Sequence, residues 1–296
     1  MARFYFIVNP VAGGGRTLSA FEKVQQALNE REIDYAVAYT PGPFTATELA
    51  RDALDNGERC IVAVGGDGTM NEVAAALIGS DATMGMLPFG TGNDLARVLG
   101  LPTEPMAALS VLLKGQTRLM DTGRANERVF LNVAGIGFDV DGLLATLKYK
   151  HRFRGMFPYM LGIFDALTHM RTLHMTFEAN GETFREDTLL MGVGNGQYFG
   201  GGMRAVPTAD PFDGLFDVYI VRKVGIFRFL TLLPSFVKGK HAQKACVRHF
   251  RTTDIRISCP EDCMLDIDGE VTEHTPARFT LLPASLRLLC TDRAGD

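Results

Sequence analysis

The stretch Ile61-Val62-Ala63-Val64-Gly65-Gly66-Asp67-Gly68-Thr69-Met70-Asn71-Glu72 constrains the fold more than any other. Ile61–Val64 reads as a buried strand, three glycines follow within four positions, and a helix-compatible segment begins near Thr69. Glycines let a backbone approach something bulky. The first turn of a helix adds free N–H groups and the positive end of its dipole, a setting that suits phosphate. Asp67 stands inside that setting, where a carboxylate repels phosphate unless a cation lies between them or the carboxylate serves as a base. A plain strand-to-helix turn with an aspartate cap is the simpler alternative.

The arrangement recurs along the first part of the chain. Arg3–Val8 is strand-like and ends at Asn9-Pro10-Val11-Ala12-Gly13-Gly14-Gly15, ahead of a helical pattern through Leu18, Phe21, Val24 and Leu28. This loop is not a Walker A motif, because no Gly-Lys-Ser/Thr closes it, and it lacks the third glycine of GxGxxG. Tyr35–Thr40 reads as a second strand and Ala46–Asn56 as a helix. Thr83–Leu87 is a fourth strand that leaves through Pro88-Phe89-Gly90-Thr91-Gly92-Asn93-Asp94. Alternating strands and helices predict a parallel sheet with ligands at the strands' C-terminal ends, so three such loops would converge on one crevice.

A length of 296 residues predicts two domains. The α/β pattern covers residues 1–122. Beyond it come short strands at Val129–Val133, Met175–Glu178, Thr188–Val193, Phe216–Val221, Asp254–Ser258 and Phe279–Leu282, with few helical stretches, at Asp139–Leu147, Pro158–Leu173 and Ile226–Lys238. Residues 123–296 therefore read as a β-rich domain, a sandwich. With 46% hydrophobic and 22% charged residues, no apolar run of spanning length and no signal peptide, the expectation is a cytoplasmic protein. Five cysteines without a disulfide-framework spacing fit reduced thiols; half a metal site at Cys259/Cys263 is the lesser alternative, since no second pair completes it.

Taken together, Asn9-Pro10…Gly13, Gly65-Gly66-Asp67-Gly68-Thr69…Asn71-Glu72 and Gly90-Thr91-Gly92-Asn93-Asp94 resemble the soluble lipid kinases that share the diacylglycerol kinase catalytic domain, a group that includes sphingosine and ceramide kinases. Met120–Gly123, Asn132–Gly137, Asp210–Leu215 and Asp268-Gly269-Glu270 match as well, so the resemblance runs the length of the chain. Gly-Gly-Asp-Gly-Thr alone is shared with nicotinamide nucleotide kinases and, more loosely, phosphofructokinases, whose α/β fold the first domain is expected to adopt. The Gly-Thr-Gly-Asn-Asp loop and Asp-Gly-Glu tilt the choice to lipids. Leu286–Cys290 reads as a final strand, and the resemblance implies that it, within 285–296, returns to the first domain.

Its functional implications are specific. ATP contacts fall to Asn9, Pro10, Val11, Ala12 and Gly13, to Thr40, to Gly66, Asp67, Gly68, Thr69, Met70, Asn71 and Glu72, and to Thr91. Asp67, Asp94 and Asp121 match aspartates linked to a catalytic Mg2+, which lets clustered carboxylates coexist with a triphosphate. Glu270 is the expected base, with Asp67 as the alternative. Asp210, Asp213 and the carbonyl of Leu215 match a structural Mg2+ site, beside the plain reading of an Asp-Gly turn. The implied reaction moves the γ-phosphoryl group of ATP to a lipid hydroxyl, diacylglycerol giving phosphatidic acid. A nicotinamide nucleotide kinase on the same scaffold and a non-catalytic lipid or nucleotide sensor remain as alternatives.

A lipid substrate keeps its head at the bilayer surface, so its enzyme must come to it. Between Arg222 and Arg256 nine Lys or Arg face a single acid, Asp254, although the whole chain carries a formal charge of −4. Within that segment Ile226-Phe227-Arg228-Phe229-Leu230…Leu233…Phe236-Val237-Lys238 sets apolar anchors among cations, which predicts peripheral docking on the inner, anionic leaflet. No nucleic-acid module accompanies the charge, so nucleic acid is not expected as a partner. A core helix with a solvated basic edge is the plainer reading for Phe229 and Leu233. A second basic cluster, Lys148-Tyr149-Lys150-His151-Arg152-Phe153-Arg154, alternates with aromatics. The oligomeric state is unreadable, which leaves a homodimer open.

Overall fold

The computed structural model describes residues 3–150, 157–261 and 263–291, so His151–Arg154 of the second basic cluster lie outside the described residues. The chain divides into two units. One takes the chain up to Thr122, Gly200–Gly202 and the chain from Leu282; the other takes Gly123–Phe199 and Met203–Leu281.

In the first unit the order is β1 (Phe4–Val8), α1 (Arg16–Glu30), β2 (Tyr35–Tyr39), α2 (Ala46–Asp55), β3 (Cys60–Gly65), α3 (Asp67–Leu77), β4 (Thr83–Pro88), α4 (Asp94–Val98), α5 (Pro105–Lys114) and β5 (Thr117–Ala125), whose last residues enter the second unit. β2, β1, β3 and β4 lie side by side, all parallel, with Phe6 opposite Val37 and Val62, and Val62 opposite Gly85. Strands buried on both faces read as continuous apolar runs, and β3 is buried at all six positions. α1 covers one face because Phe21, Val24 and Leu28 fall on one helical stripe, and Phe21 packs on Phe6 with ring centroids 5.2 Å apart. α5 lays Leu109 and Leu112 into the same core. It starts at Glu104, whose carboxylate accepts from Met106 N and Ala107 N, and stops at the left-handed Gly115.

The second unit adds β6 (Arg128–Phe130), β7 (Val133–Gly137), α6 (Phe138–Lys150), α7 (Phe157–Thr168), β8 (Leu173–Ala179), β9 (Glu182–Gly194), β10 (Phe216–Arg222), α8 (Ile226–Val237), β11 (Val247–Thr252), β12 (Asp254–Ser258), β13 (Met264–Ile267) and β14 (Glu270–His274). β15 (Ala277–Leu289) begins here and ends in the first unit, where Arg287 and Leu288 pair parallel with Thr83 and Met84. Pairing within the second unit is antiparallel: β14-β13-β7-β9-β8-β12-β15, with β10 and β11 branching from β9. Alternating burial, as in Leu173, Met175, Phe177 and Ala179 of β8, sends one row of side chains into a core with Phe130, Phe216 and Phe279. The unit is a β-rich sandwich, as its pattern predicted.

The expected helix Pro158–Leu173 stops at Thr168, and Leu173 already opens β8. Three further differences have a local cause. Val129–Val133 is not one strand, because the Asp268 carboxylate takes the N–H groups of Leu131, Asn132 and Val133 at 2.6, 3.0 and 2.9 Å and breaks the ladder there. The expected strands Phe279–Leu282 and Leu286–Cys290 are one strand, β15, which ends at Leu289 and runs through a left-handed Ala284 whose N–H donates to Asp121. α3 starts at Asp67, two residues early, because Gly66 is already extended and serves as its N-cap.

Candidate active site

Three strand exits of the first unit are locked together by glycine. A Cβ on Gly13, after β1, would lie 2.4 Å from the carbonyl oxygen of Phe89, after β4. A Cβ on Gly90 would lie 2.3 Å from Gly66 Cα, after β3. Both contacts are backbone on backbone, closer than any side chain permits, and Gly13 is left-handed as well. Polar groups tighten the same junctions. Asn9 Nδ2 donates to Thr69 Oγ1 at 3.1 Å, and the buried Thr17 hydroxyl lies 2.9 Å from the Ala12 carbonyl and 3.2 Å from that of Phe89. The result is a cradle with the N-terminus of α3 at its base, the arrangement that accepts polyphosphate.

Carboxylates gather on one side of it. The ideal Cβ position of Gly92 lies 2.7 Å from Asp67 Oδ2 and 3.8 Å from Asp94 Oδ2, so both side chains close on the same glycine. Asp67 Oδ1 accepts from Leu95 N at 3.2 Å. Asp94, buried, accepts from Arg97 Nη1 at 2.6 Å and from Gly201 N at 2.7 Å. Burial pushes the Asp94 carboxyl above the ordinary range, and the neighbouring Asp67 charge pushes it further, against the Gly201 and Gly202 N–H groups and Arg97. Beside them, Asn93 turns a sealed Oδ1 without a partner toward Gly90, 3.0 Å from where its Cβ would be. Two crowded carboxylates and an orphaned acceptor fit a hard divalent cation, whose charge would relieve both.

The other expected residues divide. Thr40 is buried at the end of β2, its N–H donating to Val8 O. Val11 is exposed, and so is Thr91. Met70 faces the core, and Glu72 caps α2 by accepting from Ala46 N at 2.8 Å, so within the motif these two offer backbone rather than side chain. Pro10, Ala12 and Asn71 are half-buried along the cradle, with Gly68 open on its Cβ side. Asp121 is buried on β5 and accepts from Ala284 N at 2.7 Å. Gly200–Gly202 was not foreseen: this glycine triplet supplies the N–H that holds Asp94 from a position 107 residues away. Its one sequence signal is the run of three glycines.

In the second unit Glu270 opens β14 directly after the Asp268-Gly269 turn and pairs with Arg128 at 2.8 Å. In the loop before β10, Asp210 Oδ1 accepts from Phe212 N and Asp213 Oδ1 from Leu215 N. Arg251 pairs with Asp213 and also reaches Asp217 at 3.3 Å. Burial is the main reason the Asp213 carboxyl sits above its usual range. Among the described residues no group of three or more His, Cys, Asp or Glu side chains is set to hold a metal, and Arg251 already supplies positive charge to this loop. Among the described residues, no helix is long and apolar enough to cross a membrane.

A parallel α/β unit whose strand exits build a glycine cradle beside paired carboxylates is the framework of a kinase. Residues 3–125 match the diacylglycerol kinase catalytic domain, and residues 133–290 match the YegS C-terminal NAD kinase beta sandwich-like domain. A diacylglycerol kinase of Mycobacterium tuberculosis (strain H37Rv) is 30% identical over 292 residues, covering 96% of this chain and 93% of the relative. One from Bacillus subtilis (strain 168) is 28% identical, covering 95% and 94%. A crystal structure of a diacylglycerol kinase from Bacillus anthracis superposes with a TM-score of 0.79 at 27% identity, covering 98% of each chain. The chain belongs to the diacylglycerol kinase catalytic-domain family and is a lipid kinase, a phosphotransferase with an alcohol as acceptor.

Proposed function

We propose that the protein transfers the γ-phosphoryl group of ATP to a hydroxyl of a membrane lipid, with diacylglycerol as substrate and phosphatidic acid as product. The observation that carries this reading is the locking of the three strand exits at Gly13–Phe89 and Gly66–Gly90 beside Asp67 and Asp94. The triphosphate lies along the backbone of Asn9–Gly13 and the first turn of α3, with Thr40 and Thr91 flanking it. Asp67 and Asp94 would hold Mg2+, with Asp121 engaging it through water rather than as a third gathered carboxylate, and the ion would supply charge neutralisation at the phosphates. Glu270 accepts the proton of the lipid hydroxyl as its oxygen bonds to the γ-phosphorus and ADP leaves; Asp67 is the alternative base. The Asp210–Leu215 loop takes a structural Mg2+ if a cation displaces Arg251 from Asp213.

Supporting the membrane as the place of reaction, α8 leaves Ile226, Phe227, Leu230 and Val237 exposed, while Phe229 and Leu232 are buried and Phe229 packs on Phe138 at 4.7 Å. Lys223, Arg228, Lys238, Lys240 and Lys244 are exposed around it, whereas Arg222 and Arg248 are committed to Glu186. Near an anionic leaflet each free cation contributes roughly 1 kcal/mol, enough for reversible docking.

The test is incubation of the pure protein with labelled ATP and Mg2+ in mixed micelles that each hold one lipid. Label is expected in phosphatidic acid formed from the diacylglycerol micelles. Transfer to a soluble nicotinamide nucleotide in detergent-free buffer, or ATP binding without transfer to any lipid, would overturn the proposal.

A further inference from the structure

Glu270 depends on a turn that is held from two sides. Asp268 and Gly269 are both left-handed, at φ +50° and +91°. On one side the Asp268 carboxylate gathers the N–H groups of Leu131, Asn132 and Val133. On the other, Asp266 Oδ1 accepts from Gly269 N at 2.7 Å. Asp266 is 1% exposed, and its second oxygen is sealed without a hydrogen-bond partner.

The neighbour of that second oxygen follows from strand register. Asp266 of β13 stands opposite Gly135 of β7. Residues directly opposed on antiparallel strands point to the same face, with Cβ positions about 4.5–5.5 Å apart. At Gly135 the place of the missing Cβ is filled: Asp139 Oδ2 lies 1.8 Å from it and Asp139 Cγ 3.0 Å. Asp139, at the start of α6, therefore brings its carboxyl across the strand from that of Asp266. Its Oδ1 too is sealed and without a partner. Gly135 is what makes room for this.

We propose that Asp139 and Asp266 share one proton and act as a positioning pair, which fixes the Asp268–Gly269 turn and so the aim of Glu270. Two carboxylates that each turn a sealed oxygen into the same space repel strongly, whereas one proton between them turns the repulsion into an O–H···O bond. Both carboxyls are pushed well above the ordinary range, first by burial. For Asp266 the Asp139 charge comes next, opposed by the Gly269 N–H and reinforced by Asp268 and Glu270. For Asp139 its own N–H and that of Val140 lower the value and Asp141 raises it. The surrounding charges are Asp141, balanced by Arg171, and Asp268 and Glu270, the latter balanced by Arg128. Among the described residues no cation pairs with Asp139 or Asp266.

Because the folded state holds this proton more tightly than the unfolded chain does, the pair's stabilisation is full at acidic pH. It is lost as pH rises from the ordinary carboxylate range through neutrality. The role in catalysis rests on Glu270 as base; the shared proton does not.

The test uses Asp266→Asn, which keeps an acceptor for Gly269 N and offers Asp139 an N–H in place of the acid, together with Asp266→Ala and Asp139→Asn. The thermal midpoint of the wild type should fall by about 5 °C more than that of Asp266→Asn between pH 5.5 and 8.5. Asp266→Ala should lose at least about tenfold in kcat at unchanged KM for ATP, most of it recovered in Asp266→Asn, with the alkaline fall in kcat flattened. If Asp266→Ala does not fold, Asp139→Asn replaces it and should show the same flattening. Parallel pH profiles for wild type and both Asn variants would overturn the pair. A flattened stability profile in a protein whose Glu270→Gln variant stays active would keep the pair and remove Glu270 as base.

Discussion

One group of acidic side chains in each unit is held in an opposite way to the other. In the first, Asp94 meets Arg97 and the Gly201 N–H, Asp67 meets the Leu95 N–H, and Asp121 meets the Ala284 N–H. In the second, Asp139 and Asp266 each bury an oxygen that no donor reaches. Donors favour the ionised form and a sealed oxygen without a partner favours the protonated one, so the cradle meets its carboxylates with N–H groups and Arg97, against the burial that still pushes Asp94 upward, while the pair beneath the Glu270 turn is left to share a proton. Under the proposed function, the first kind of carboxylate is completed by a cation that arrives with the nucleotide. The second completes itself.

The contrast breaks most sharply at Asp67. Asp67→Asn keeps an oxygen for Leu95 N but removes the charge that raises the Asp94 carboxyl. Turnover with ATP and lipid micelles is expected to drop by about a hundred- to a thousandfold, the scale of losing a charge-stabilising group, while the thermal midpoint stays level or rises. A lowered midpoint with activity reduced only in proportion to the folded fraction would make Asp67 a cap and nothing more.

Glycine separates the units at a smaller scale. Gly90→Ala drives a Cβ into Gly66 backbone, so it should cost about 1–3 kcal/mol in urea unfolding and raise KM for ATP about tenfold as two strand exits part. At Gly269 nothing lies within 4 Å and only the φ of +91° resists a side chain. There alanine should cost about 1 kcal/mol and lower kcat rather than raise KM for ATP. Equal changes in KM for the two variants would mean that the loops do not bind nucleotide separately from the Glu270 turn.

The same split governs what could be read from the sequence. Gly13, Gly66 and Gly90 were legible because each sits in a run of residues whose local types already specify a strand, a tight exit and a helix start. Asp94 was legible as an acid in such a loop, yet its partner Gly201 lies 107 residues away and no local pattern announces it. In the second unit Asp268-Gly269 announces a turn, but the three N–H groups that Asp268 gathers belong to residues at least 135 positions earlier. Asp266 reads as an ordinary strand residue until register sets it against Gly135. β11, β13 and β14 went unread because short strands with polar faces carry little period-two signal, and β15 was split in reading by Pro283, Ala284 and Ser285.

The gentlest test of the contrast lies on α8, where one helix carries both a core side and an unpartnered side. Phe227 is 83% exposed and Phe229 is fully buried, two residues apart. Phe227→Asp removes an apolar anchor worth up to about 1.5–3 kcal/mol if it enters the leaflet and adds a charge of the wrong sign, so binding to vesicles rich in anionic lipid should weaken about tenfold. The thermal midpoint should move little, because substitutions at such exposed positions stay within about 0.5 kcal/mol. Phosphorylation of a short-chain lipid dissolved as monomer should be unchanged, since that substrate needs no docking. Raising the salt concentration should weaken wild-type binding in the same vesicles, because the cations around α8 act through a screened field. If Phe227→Asp binds vesicles as the wild type does, α8 is a surface helix like any other, and the approach to the bilayer must be sought elsewhere on the molecule.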